Sequence, residues 1–395
     1  MKHSLPLLCL MVCSWLGFAC SSPEPSYAQR AQAILADSVL EIARVNLGLR
    51  PETVTASRCV RSAGGAHDFY SEGDYWWPDS TNPEGPYVRR DGLTNPGNFT
   101  AHREALMRFS EIMGNLSSAF LLTDDPAYAR AALAHSRAWF LTDSTRMNPH
   151  LLYAQAIKGR HTGRGIGIID AIHFMEVVQA LRVLDQHGQV PPADLTGYQQ
   201  WFGDFLTWLT THPYGLDEKV HPNNHGTCWN MQVALYARFT GNEAVLDMCR
   251  THFSENLLPS QMAEDGSFPL ELKRTKPYGY SLFNLDAMVM NALILSDPAH
   301  DLWNAESEGG KSIRKGLDYM RPYVADKTQW PLEPDVMYWD EWPVAHPAFL
   351  FGAMAYDAPA YYDVWAPYAH FPTVFEVKRN LPIRNPLIWL EELET

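Results

Sequence analysis

Two short stretches carry side chains suited to proton transfer at carbon: Asn223-Asn224-His225-Gly226-Thr227-Cys228-Trp229 and, about fifty residues later, Arg274-Thr275-Lys276-Pro277-Tyr278-Gly279-Tyr280-Ser281. Asn, His and Arg can donate hydrogen bonds to an anion, and Tyr can exchange a proton. Together they suit removal of a proton from the carbon beside a carboxylate, with breakage of the neighbouring bond. Neither stretch contains Asp or Glu. That omission argues against ordinary glycoside hydrolysis, which needs two carboxyl groups flanking the bond.

Each residue also has a plainer reading. Asn224 and His225 precede a helical run from Trp229, where they either cap the helix or donate to an anion alongside its free N–H groups. Asn223 joins them as a substrate contact. Arg274 near Tyr280 favours the phenolate and lowers the Tyr pKa from its reference of about 10. Tyr278 competes for that role; Tyr280 is preferred because it abuts the helix from Ser281 onward. The pair Trp76-Trp77 reads either as loop anchors or as a sugar-stacking platform. In His161-Thr162-Gly163-Arg164-Gly165, Arg164 is a candidate substrate contact, although the spacing is not that of a phosphate loop. No metal pattern or cofactor motif is present.

Apolar residues at helical spacing predict the elements that hold these groups: Ala28 to Leu49, Ala101 to Leu122, Ala127 to Phe140, Ala171 to Leu184, Tyr198 to Leu209, Trp229 to Phe239 and Leu282 to Leu295. Strand-like alternation is scarce, so the fold class is all-α. Turn signals at Asp124, Gly188, Gly241, Asp297 and Asp357 are separated by 64, 53, 56 and 60 residues, the length of a helical hairpin with its loops. Thr162, Asn224, Lys276 and Pro334 repeat the period with a half-period offset, at 62, 52 and 58 residues. The offset places the polar motifs together at the opposite end of the helices from the turns. This predicts an α/α toroid, an incomplete barrel of about six or seven hairpins; the same period would also permit an open solenoid. A Pro-, Gly- and aromatic-rich insertion around 70–98 has no helical period and reads as a lid.

The net charge of −14 disfavours nucleic acid as a partner. An acidic polysaccharide can bind only where cations are concentrated, and Arg89, Arg90, Arg160, Arg164, Lys273, Arg274 and Lys276 cluster near the unusual motifs. Residues 1–19 read as a signal peptide, with Cys20 as the acylated first residue of a bacterial lipoprotein and 20–27 as a tether. The expected location is the periplasm or the outer membrane, with the lipid at Cys20 as the membrane contact. One domain then occupies 28–395. Cys59, Cys228 and Cys249 give no disulfide framework.

Asn-Asn-His followed by Trp, Arg-Thr-Lys leading to Tyr-Ser-x-Phe-Asn-Leu, and Tyr75-Trp76-Trp77-Pro78-Asp79 with downstream Arg89-Arg90-Asp91-Gly92 together resemble the alginate lyase superfamily of α/α-toroid polysaccharide lyases. The resemblance runs from about Asp68 to Leu295. It implies that Asn224, His225 and Arg274 neutralise a uronate carboxylate while Tyr280 handles protons. Trp76, Trp77, Arg89, Arg90, Arg164, Asn223, Lys276 and Tyr278 are then the expected substrate contacts. The implied activity is β-elimination on a 1,4-linked polyuronate, either mannuronate-rich alginate or glucuronan. Two rivals use the same helices: a glycoside hydrolase acting through Asp170 and Asp286, and a non-catalytic glycan-binding lipoprotein.

Overall fold

The computed structural model describes residues 24–393; the expected signal peptide and Cys20 lie outside them. Helix α1 (Tyr27–Asn46) shows how one face is chosen. Ala28, Ala31, Leu35, Val39 and Ala43 recur every three or four residues and are buried, and a Ser26–Gln29 capping box fixes the start. Next come α2 (Ala101–Thr123), α3 (Pro126–Phe140), α4 (Phe174–Gln186), α5 (Pro192–Thr211), α6 (Pro213–Lys219), α7 (Asn224–Thr240) and α8 (Glu243–His252). The last long helices are α9 (Pro277–Leu295), α10 (Ile313–Ala325) and α11 (Pro347–Tyr356). Proline in the first turn of α3, α5, α6, α9 and α11 fits the helix-start preference, because its missing N–H would have had no partner there.

Helices α2, α4, α7, α9 and α11 pack in succession, and α1 packs against both α11 and α2, so the ring closes. The closed ring bears out the toroid over the open solenoid. Every residue of α9 is buried, as expected for an inner helix apolar all round. The segment Pro386–Leu393 packs against α1, α2, α4 and α11, filling one end of the ring. At the turns, Asp124, Gly188, Gly241 and Asp357 all adopt positive φ just past the inner helices α2, α4, α7 and α11. Asp297 differs. Helix α9 ends at Leu295, and Asp297 bridges to His300 in a loop that delays α10 until Ile313, so no tight hairpin forms there.

The 70–98 insertion is ordered by pairing. Strand β1 (Tyr70–Glu72) runs parallel to β4 (Tyr153–Ala156), and β2 (Trp76–Trp77) is antiparallel to β3 (Val88–Arg89). Asn95 Nδ2 and Asn98 Nδ2 donate to the carbonyls of Trp76 and Gly73. Cys59, Cys228 and Cys249 are buried and unbridged.

Candidate active site

A cleft opens where the segments before α4, α7 and α9 meet the β1–β2 turn. Its wall includes Trp76, Arg89, Arg164, Asn223, Asn224, His225, Arg274 and Tyr280, drawn from both motifs and from the insertion. Segments marked by the half-period offset meet at this rim, although of the four marker residues only Asn224 lines the cleft.

Helix α7 begins at Asn224, five residues before the predicted Trp229, because its first turn is buried against neighbouring chain. Gly226 makes that approach possible: a Cβ there would lie 2.3 Å from the His221 carbonyl oxygen. Asn223, at the N-cap position, makes no side-chain cap. The Asn224 backbone N–H and Nδ2 both donate to Glu271 Oε1 at 2.8 Å, which fixes the amide. Glu271 is buried, and burial raises its pKa. His225 Nδ1 lies 2.7 Å from Glu218 Oε1, on a fully buried carboxylate. With Nδ1 committed to Glu218, Nε2 is the ring nitrogen left for the cleft.

Pro277 starts α9, so Tyr278 and Tyr280 are both helical and point about 200° apart. Tyr280 faces the cleft. Its hydroxyl is 2.5 Å from that of Tyr75 and accepts from Arg274 at 3.3 Å, and the guanidinium carbon sits 4.3 Å from its ring centre. Burial pushes the Tyr280 pKa well above the usual range, and Tyr75 adds to the rise, while Lys276 and Arg274 pull it down. The expected net lowering by Arg274 is therefore outweighed by burial. Tyr278 is not a substrate contact: it is fully buried and its hydroxyl donates to the Tyr323 carbonyl.

Lys276 is also removed from the expected contact set. Its ammonium is buried against Glu376 at 2.5 Å. Trp77 and Arg90 turn away from the cleft together. The Trp77 indole N–H donates to the Leu93 carbonyl, and Arg90 lies over the Trp77 ring, so the tandem aromatics divide into one anchor and one cleft wall, Trp76. Arg89 lines the cleft while pairing with Asp91 at 2.5 Å. Asp91 also accepts from Thr275 and Arg274, tying the insertion to the start of α9.

Arg164 donates to the backbone and side-chain oxygens of Gln155, and no carboxylate pairs with it among the described residues. Burial pushes its pKa down to about 10. A desolvated, unpaired guanidinium in a cleft favours an incoming anion. Gly73 lets it pack there, since a Cβ would meet Trp76 and Arg164 within 3.0 Å.

Neither proposed hydrolytic acid is available. Asp286 is fully buried, bonded to His346 Nδ1 and the Ala348 N–H, and does not line the cleft. Asp170 does line it, but its oxygens are taken by Arg103, Ser71 and Gln155. Asp74, the other carboxylate in the wall, pairs with Arg103 and Arg379.

Glu218, Glu271, Tyr75, Gln155 and Arg379 went unrecognised in the sequence. Glu271, Tyr75 and Arg379 act on residues far away in sequence, while Glu218 and Gln155 reach His225 and Arg164 across a turn that no capping pattern marks. Tyr75 sat inside the quoted Tyr-Trp-Trp-Pro-Asp motif, which was the available signal.

The alginate lyase family model matches residues 53–330. A crystal structure of an alginate lyase from Bacteroides ovatus is 31% identical, with a TM-score of 0.78, covering 90% of this chain and 93% of that one. Alginate lyase A1-III from Sphingomonas species A1 shares the fold. A histidine-to-alanine variant complexed with a tetrasaccharide is 14% identical with a TM-score of 0.53, covering 82% and 86% of the two chains. The same variant without ligand is 16% identical with a TM-score of 0.50, covering 77% and 78%. No curated protein matches the chain.

Proposed function

The chain belongs to the alginate lyase family and is a polysaccharide lyase, and from that premise we propose that it cleaves mannuronate-rich alginate by syn β-elimination, with glucuronan as an equivalent substrate. The supporting observation is one cleft in which Tyr280, His225, Asn224, Arg274 and Arg164 meet, while both wall carboxylates are engaged elsewhere. The uronate carboxylate takes hydrogen bonds from Asn224, His225 and the guanidinium groups, which stabilise the enolate-like charge as the C5 proton leaves.

In this reading the Tyr280 phenolate takes the C5 proton. A double bond forms between C4 and C5, the C4–O4 bond breaks, and Tyr280 returns the proton to O4. One residue serves both steps because H5 and O4 lie on the same face of mannuronate and of glucuronate. Tyr75 and Arg274, already at the Tyr280 oxygen, donate to the phenolate. A second reading is favoured by the burial that raises the Tyr280 pKa: on guluronate, His225 is the base and Tyr280 only the acid.

The test is digestion of polymannuronate, polyguluronate and glucuronan by the purified protein, followed by the ultraviolet absorbance of the unsaturated uronate. Release of saturated products alone would exclude elimination, and activity confined to polyguluronate would select the second reading. Export as a lipoprotein belongs to the same proposal; Cys20→Ser should shift the protein from the membrane to the soluble fraction, and an unchanged distribution would refute the anchor.

A further inference from the structure

Lys276 takes no part in the elimination as written, yet its position is closely defined. Its ammonium lies 5.1 Å from the Tyr75 ring centre, 5.5 Å from that of Tyr280 and 5.5 Å from that of Tyr338. Three aromatic faces surround a buried cation whose carboxylate partner is Glu376. Glu376 belongs to a short helix, Phe375–Arg379, beyond the family-matched segment. Burial opposes its charge, but Arg379 and Lys276 hold its pKa at about 2.

The pair continues as an alternating chain. Glu376 binds Arg379 at 3.0 Å, Arg379 binds Asp74, Asp74 binds Arg103 at 2.6 Å, and Arg103 binds Asp170 at 3.0 Å. Three carboxylates (Asp74, Asp170, Glu376) face three cations (Lys276, Arg103, Arg379), so the chain is neutral overall. It ends beside Tyr280 on its cationic member.

We infer that Lys276 is a positioning residue for the elimination: held by Glu376, which Arg379 anchors in turn, it stabilises the Tyr280 phenolate through space and sets how readily Tyr280 exchanges its proton. The inference rests on Tyr280 being the proton-transfer residue. Other charged or titratable groups also face Tyr280. Tyr75 and Asp74 come from the β1–β2 turn, Arg274 lies beside it with Asp91 behind, and Arg379 and Glu376 come from the short helix. Asp335 and Tyr338 lie behind its ring, and His225 and Arg164 line the same cleft. Among them Lys276 is the cation in contact with both phenol rings.

The test is the pH profile of kcat on polymannuronate for the full-length enzyme and for Lys276→Met, Lys276→Arg and Tyr280→Phe. Lys276→Met should move the rising limb up by about one to two pH units, with a loss of about tenfold per unit below the limb and KM little changed. Lys276→Arg should keep the limb near its original place. If Lys276→Met does not fold, Lys276→Gln, whose amide can still bond Glu376, removes the cation and is read in its place, with the same shift expected. A wild-type limb in the charge-removed variant overturns the inference, as does equal impairment of the Met and Arg variants without a shift. Near-normal turnover by Tyr280→Phe would instead overturn the assignment of Tyr280 itself.

Discussion

Glu218→Gln removes the charge behind His225 and almost nothing else. Glu218 is fully buried, and its one side-chain hydrogen bond is the 2.7 Å contact to Nδ1; the other oxygen, Oε2, has no partner. A charge-assisted bond of this kind contributes about 1.5–3 kcal/mol, and Gln in place of Glu218 removes the anion that supports a ring donating from both nitrogens, Nδ1 to the carboxylate behind it and Nε2 to the substrate. If His225 must present a defined Nε2 to the substrate, kcat/KM falls about 10- to 150-fold. Folding stability should be unchanged or higher, because a buried carboxylate with a single partner costs desolvation that the amide avoids. The assay is the initial rate of unsaturated-uronate formation, paired with urea unfolding. A double-mutant cycle completes it: on a His225→Ala background the Glu218 change should be nearly silent. Activity within about threefold of wild type would refute the role of the dyad, as would equal losses in the presence and absence of His225.

Tyr280→Phe should lower kcat by about 10²–10⁴, whereas Tyr278→Phe should leave turnover intact and cost only about 1 kcal/mol in urea unfolding, having lost a bond to the Tyr323 carbonyl. Because burial raises the Tyr280 pKa, the resting group keeps its proton as pH rises through neutrality. Turnover of polymannuronate should therefore climb about tenfold per pH unit until Tyr280 ionises, and a rate that falls over that range would contradict a phenolate base. Arg164→Met should raise KM by about 10-fold or more, from loss of a charge-assisted contact, with a smaller effect on kcat; an unchanged KM would remove Arg164 from the binding site. Arg103→Met leaves Asp74 and Asp170 without their shared cation and should cost about 3–5 kcal/mol, read from the denaturant midpoint and slope.

The long helices were legible because their signal is local. Ala101–Thr123 and Pro126–Phe140 match the predicted segments to within a residue or so at each end, with Asp125 capping the second. The rim was legible from period alone, since alternate loops of stacked hairpins must share an end. The charge relations were not. Lys276 looked like a ligand for an acidic polymer until Glu376, a hundred residues on, was found beside it. With a helix expected only from Ser281, Tyr280 is preferred over Tyr278 for its nearness to that helix and not for the direction it faces. The helix's actual start at Pro277 puts them on opposite faces. Glu218 lies in a seven-residue helix too short for periodicity to show which side is buried.

The contact between Asp74 and Arg379 spans 305 residues, and the filled end of the ring is supplied by the last described stretch, Pro386–Leu393. During synthesis the parts recognised as the active site, from Tyr75 to Tyr280, are made well before the residues that complete its wall. A growing chain thus carries Tyr75, Asn224, His225 and Tyr280 while Lys276 still lacks Glu376 and Asp74 has only the first of its two cations, Arg103. Closure of the charged wall behind Tyr280 therefore waits on Glu376 and Arg379, about a hundred residues beyond Lys276.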